Sequence, residues 1–227
     1  MKHETKTWAD HLISWYRDLE PPQNLPDDIS WLHPQKDPQV FKIVEQFFHK
    51  FYDDARPRRL MLGINPGRFG AGVTGVNFTA ARQLEDYCGI PYPLGKGSEL
   101  SAEFIYDMIN AYGGVKKFYG DFFISSVSPL GFVRHGKNLN YYDDKELTRT
   151  VEPFIIHNLD RLLDYHADRS EAYAIGGEKN FKYLDALNRK HGWFGKVVPL
   201  PHPRFIMQYR RKQKDLFIQQ YLQSIIK

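Results

Sequence analysis

Two stretches of this 227-residue chain hold side chains whose type and spacing suit chemistry. The first is "MLGINPGRFGAGVTGVNF", Met61 to Phe78. An apolar run stops at Asn65, and Pro66, Gly67, Gly70, Gly72 and Gly75 follow. Proline lacks an N–H and forces the residue before it into an extended backbone, so the asparagine closes a strand with its side chain projecting. The glycines let main chain approach a ligand closely. An amide does not titrate, so it orients a reactant or bonds the backbone of its own turn; both readings stand on local grounds. The second stretch is "PLPHPRF", 199–205, which holds His202 between two prolines. That backbone is fixed, and the direction of the imidazole with it.

Other chemistries find little support. The remaining eight of nine histidines show no His-x-x-x-His or Cys/His spacing, so no metal site and no cofactor are expected. Ser126 and Ser128 lack the Gly-x-Ser-x-Gly elbow of a hydrolase. "GIPYPLGKGS" (89–98) imitates a phosphate loop, but it has one residue too many between its glycines, two prolines and no strand before it. A dinucleotide fingerprint is absent. Asp143 and Asp144 read as a helix cap, Asp53 and Asp54 as solvated. The lone Cys88 reads as a small core side chain. What remains is a reaction in which positioning and electrostatics suffice, without a nucleophile, a metal or an obvious carboxylate base.

The elements that must position these groups follow from periodicity. Short apolar runs at 59–65, 121–128, 171–177 and 196–201 read as strands covered on both faces. Amphipathic stretches between them read as helices, one beginning with Ser101 as its cap and one carrying Pro153 as a kink or break. Two further helices are expected at about 6–19 and 38–54. The last helix presents Leu216, Ile218, Tyr221, Leu222, Ile225 and Ile226 as its inner face. The alternation predicts an α/β fold, a three-layer α/β/α sandwich on a central, mainly parallel four-stranded sheet. One domain is expected over 1–227, with 1–54 as a helical extension packed on it. Asn65, Ser126, Gly176 and His202 all fall at carboxyl ends of strands, where such sheets bind ligands.

Composition narrows the class. A net charge of +4 is mild, but Arg204, Arg210, Arg211, Lys212 and Lys214 crowd the span from His202 to Lys214 with no acidic residue among them. Such a strip is either a solvated helix face or a phosphate-contacting surface. No stretch approaches the ~20 apolar residues that span a bilayer. The charged N-terminus lacks a signal-peptide core, so a cytoplasmic protein is expected.

"GINPGRFGAGVTGVNF", "FISSVSPLGF" (123–132) and "PHPR" occur in the order in which the SMUG-type (single-strand-selective monofunctional) uracil-DNA glycosylases carry their motifs, and the chain resembles that family over roughly residues 55–225. The pattern best suits a divergent bacterial branch, a second SMUG-like subfamily. The resemblance implies a monofunctional enzyme that flips uracil out of single- or double-stranded DNA, without cofactor or metal, as a monomer with no obligate protein partner. It makes Asn65 the holder of the attacking water and His202 the group that stabilises the departing base. It makes Phe78 the stacking aromatic, with Gly63, Pro66, Gly67, Phe69 and Gly72 about the base. Ser126 falls where the family has the asparagine that reads the uracil edge. Arg68, Pro203, Arg204, Phe205, Arg210 and Arg211 fall in elements that contact or wedge DNA. Two departures bear on specificity: the serine at 126 offers one hydroxyl where an amide makes two hydrogen bonds, and Ala71, Gly72 and Val73 replace the family's Met-x-Gln. Alternatives from the same fold are glycosylases for xanthine, hypoxanthine or mismatched thymine; from other classes, a non-catalytic nucleic-acid-binding module or a small-molecule nucleotide hydrolase.

Overall fold

The computed structural model describes residues 6–97 and 99–226. In chain order the elements are α1 (Trp8–Arg17), β1 (Ile29–Leu32), α2 (Pro38–Tyr52), β2 (Arg58–Gly63), α3 (Ala71–Thr74), α4 (Ala81–Asp86), α5 (Leu100–Tyr112) and α6 (Val115–Asp121). Then come β3 (Phe122–Ser126), β4 (Gly131–Arg134), β5 (Lys137–Leu139), α7 (Lys145–Leu163), β6 (Ala167–Ile175), α8 (Gly177–His191), β7 (Val197–Leu200), α9 (Pro203–Tyr209) and α10 (Lys214–Ile225).

The four expected strands form one wholly parallel sheet in the order β3-β2-β6-β7, flanked by helices. Its strands are apolar on both faces because both faces are covered: Leu60, Met61 and Leu62 are fully buried, as are Ala172, Tyr173, Ala174 and Ile175. From β2 the chain moves to β3 on one side and to β6 on the other. That reversal opens a crevice beyond the strand ends.

A second, three-stranded antiparallel sheet, β1-β4-β5, escapes the sequence patterns. The turn of its β4–β5 hairpin puts His135 and Gly136 at φ +48° and +71°, the geometry of a tight two-residue hairpin. Its other edge, β1, comes from the N-terminal segment, which is therefore not purely helical as expected.

Several local expectations change. Glu99, not Ser101, caps α5: its Oε2 accepts from the Ala102 N–H at 3.0 Å, and a carboxylate answers those N–H groups better than a hydroxyl. Helix α7 runs unbroken through Pro153, which forfeits a single backbone donor. α10 buries Ile218, Tyr221, Leu222 and Ile225 as expected, whereas Leu216 and Ile226, expected beside them, are exposed. The span 66–100, which shows little regular pattern, holds α3 and α4. The 89–98 stretch is a connecting loop; Ser98, its last residue, lies outside the described residues.

Asp54 is not merely solvated. It grips the fully buried Arg58 with both oxygens, at 2.8 and 2.9 Å. Arg58 also donates to the carbonyls of Tyr119, Arg56 and Phe51, joining β2 to α2 and α6. Trp8 donates to the Arg56 carbonyl, which brings α1 into the same knot. Burial raises the Asp54 carboxyl, but hydrogen bonds from Arg58 and Arg56 outweigh it and leave the group well below its ordinary range. Breaking such a pair by removing one partner costs about 3–5 kcal/mol.

Candidate active site

The carboxyl ends of all four parallel strands open onto one cleft of about 420 Å³. Asn65, Ser126, Gly176 and His202 line it together, joined by Pro66, Gly67, Phe69 and Phe78. The amide of residue 65 and the imidazole of residue 202, 137 positions apart in the chain, share this cavity.

Asn65 bonds the backbone and keeps a spare acceptor. Its Nδ2 donates to the carbonyls of Leu139 (3.2 Å) and Pro66 (3.3 Å), and its Oδ1 accepts from the Tyr141 N–H (3.1 Å). Those backbone partners have fixed polarity, so the amide cannot turn over. Both donors are spent, while the oxygen retains a second lone pair. Leu139 and Tyr141 come from the end of β5 and the loop after it, and Tyr141 is braced in turn by the fully buried Asn180 (2.8 Å).

Phe78 is held by a steric fit. It adopts φ +53°, rare for a bulky residue. A Cβ at Gly63 would stand 2.7 Å from its ring, so only glycine at 63 lets the ring lie against the end of β2. Backbone strain of this kind costs about 1–3 kcal/mol and collects at functional sites. Gly63 thus acts through Phe78 and does not itself line the cleft. Gly72 is also outside the lining: a Cβ there would meet Leu32 and the Gly67 carbonyl.

His202 caps α9. Its Nδ1 accepts from the Arg204 N–H at 3.0 Å, which places the proton of the neutral ring on Nε2. Burial pushes the imidazole down to about 4; Glu99 opposes that shift and Arg204 adds to it. The group is therefore a neutral hydrogen-bond donor at physiological pH.

A carboxylate does line the cleft, contrary to expectation: Glu99. It is committed elsewhere, accepting from Ala102 N–H, from Ser101 Oγ (2.9 Å) and from Arg204 (3.2 Å). The basic strip is likewise partly spoken for. Glu99 at the cap of α5 and Glu103 and Asp107 within it stand four residues apart and face Arg204, Arg211 and Lys214 at 3.2, 3.9 and 2.7 Å. Arg210 lies over the Phe205 ring and Arg68 over the Phe69 ring, at 5.6 and 4.5 Å. Phe69, Phe205 and Tyr209 line the cleft with exposed rings, while Pro203 is buried at the start of α9. Sequence reasoning missed Asn77, Asn138, Asn140, Tyr142 and Tyr209, all of which line the cleft. Asn77 sat inside the quoted motif, and Tyr209 inside the basic strip; the others lie on or just after β5, whose strand pattern is too short to detect.

The sequence model of the uracil DNA glycosylase superfamily matches residues 49–226. No curated protein matches the chain. Among solved structures, the crystal structure of wild-type SMUG2 from Pedobacter heparinus superposes with a TM-score of 0.93 at 41% identity, covering 97% of each chain. A chain that places its strand-end amide, imidazole and aromatic in one cleft, and shares nearly its whole length with a SMUG-type protein, belongs to the uracil DNA glycosylase superfamily and is a DNA glycosylase of the SMUG type.

Proposed function

We propose that the protein removes uracil from DNA by hydrolysing the N-glycosidic bond, as the first step of base excision repair. The observation that carries this reading is the convergence of Asn65 and His202 on the cleft floored by Phe78. A base must leave the stack to enter, at a cost of a few kcal/mol. Stacking on Phe78 returns about 1–3 kcal/mol. The spare lone pair of Asn65 Oδ1 accepts a hydrogen bond from water and holds it beneath the sugar. An amide takes up no proton, so its contribution is placement. As the glycosidic bond breaks, negative charge gathers on the uracil, and Nε2–H of His202 donates to it without first having to lose a proton. A preorganised donor at a developing anion is worth about 2.7–4 kcal/mol.

Phe205 and Tyr209, exposed at the cleft, are suited to fill the gap left by the flipped nucleotide. Arg68, Arg210 and Lys212 are suited to flanking phosphates. The serine at 126 leaves a wider range open, in which hypoxanthine, xanthine or mismatched thymine is also a substrate. The test is alkaline scission of oligonucleotides bearing each lesion after incubation without metal or cofactor. Strand breaks at uracil support the proposal; their absence at uracil with breaks at another lesion reassigns the substrate.

A further inference from the structure

One polar pair in the cleft has no role in the steps above. Ser126 Oγ, 4% exposed, donates to Asn77 Oδ1 at 2.8 Å. Asn77 Nδ2 donates to the Tyr16 hydroxyl at 3.2 Å. Asn77 is 8% exposed and lines the cleft beside Phe78, its neighbour in the chain. Each end of its amide is thus anchored by one hydroxyl, and each end keeps one bond unmade: a second lone pair on Oδ1 and a second N–H on Nδ2.

We infer that Asn77 reads the edge of the flipped base and that Ser126 is its positioning residue. Uracil presents a carbonyl oxygen next to an N–H, O4 beside N3–H. The free N–H of Asn77 meets O4, and the free lone pair of Oδ1 meets N3–H. A hydroxyl alone makes one such bond; a carboxamide makes both, with the polarity that a deaminated base presents. The resemblance to known glycosylases places an asparagine at 126 and a proline at 77. Here the amide has moved to the loop carrying the stacking ring, and the strand end supplies the hydroxyl that aims it. This inference rests on the proposed uracil activity and names the group that confers its selectivity.

The test compares binding of oligonucleotides carrying 2′-fluoro-2′-deoxyuridine, whose electron-poor sugar resists cleavage, with the N3-methyl counterpart, which keeps both carbonyls and has a methyl group in place of the N3 proton. Wild-type protein is expected to bind the uracil form about tenfold more tightly, the value of one well-made hydrogen bond. Asn77→Ala brings the ratio to within twofold of one. Phe78→Ala weakens both and leaves the ratio unchanged. If Asn77→Ala melts early, Ser126→Ala serves instead: it narrows the ratio, and Ser126→Thr restores it. A ratio of one in wild type, or a ratio that neither the 77 nor the 126 variants move, overturns the assignment. Cleavage of ordinary deoxyuridine by wild type, measured alongside, separates this failure from that of the uracil reading, since an enzyme that cuts uracil with an unmoved ratio loses only Asn77.

Discussion

Gly63 and Phe78 occupy one another's space to within the size of a methyl group: a Cβ on the first would lie 2.7 Å from the ring of the second. Gly63→Ala must therefore push the ring off the end of β2. Overpacking of this kind costs roughly 1–3 kcal/mol. The expected result is a folded protein with a slightly lower melting temperature and at least tenfold slower single-turnover cleavage. Wild-type kinetics with a wild-type melt would show that the ring's placement is irrelevant.

Asn65→Ala removes both the oxygen proposed to hold the water and the brace on Leu139 and Tyr141. Cleavage should fall by at least a hundredfold, with affinity for substrate DNA within a few-fold of wild type. Asn65→Asp is expected to be no better, because a carboxylate cannot donate to the Leu139 carbonyl. Gel-shift affinity and single-turnover rates, measured on the same preparations, check both statements.

The His202 imidazole is depressed to about 4, against 6.5 for the free side chain. It stays a neutral donor down to that pH, so its contribution to the cleavage rate should be flat from pH 8 to about 5. The stability consequence has the opposite feel. The unfolded chain takes up a proton on this residue below pH 6.5 while the native one does not, so stability falls as pH drops from about 6.5 towards 4. His202→Asn, which cannot titrate, should lose that part of the acid sensitivity. A rate that climbs or collapses between pH 7 and 6 in parallel with an NMR titration of this imidazole would refute the neutral-donor role.

The acidic row on α5 holds back part of the cationic strip. Glu103→Gln and Asp107→Asn release Arg211 and Lys214 for phosphate. DNA binding should tighten, and the slope of log affinity against log salt should steepen by up to about 0.9 per freed contact on duplex. Alanine at Arg210 and Lys212 should make it shallower. Slopes unchanged in both directions would place the strip away from DNA.

The parallel sheet was legible because its strands are short, apolar on both faces and separated by helical periods, so pattern and burial coincide. The convergence of residues 65, 126, 176 and 202 was legible for the same reason, since strand ends in such a sheet share one side. The small sheet was not: β5 is three residues long and mostly exposed, and β1 stands alone among prolines and charges. Its pairing is fixed by contacts distant in the chain, which no local window reports. The sequence also placed Asp54 in solvent, because a bidentate grip on a buried arginine four residues later leaves no periodic trace. Asn77 carries no distinguishing signal, because an asparagine in a glycine-rich loop reads as an ordinary turn residue.

The strand β1 pairs with β4, β4 with β5, and β5 ends in the carbonyl that holds Asn65. The superfamily match begins only at residue 49, well after β1. A gene trimmed to that match would encode a chain whose β4 presents a bare edge of unpaired amides, an invitation to aggregate. It would also loosen the scaffold behind Asn65. The superfamily pattern alone therefore marks a cut that would strip a sheet edge from this molecule, whereas the likeness to the solved SMUG-type structure runs through that edge as well.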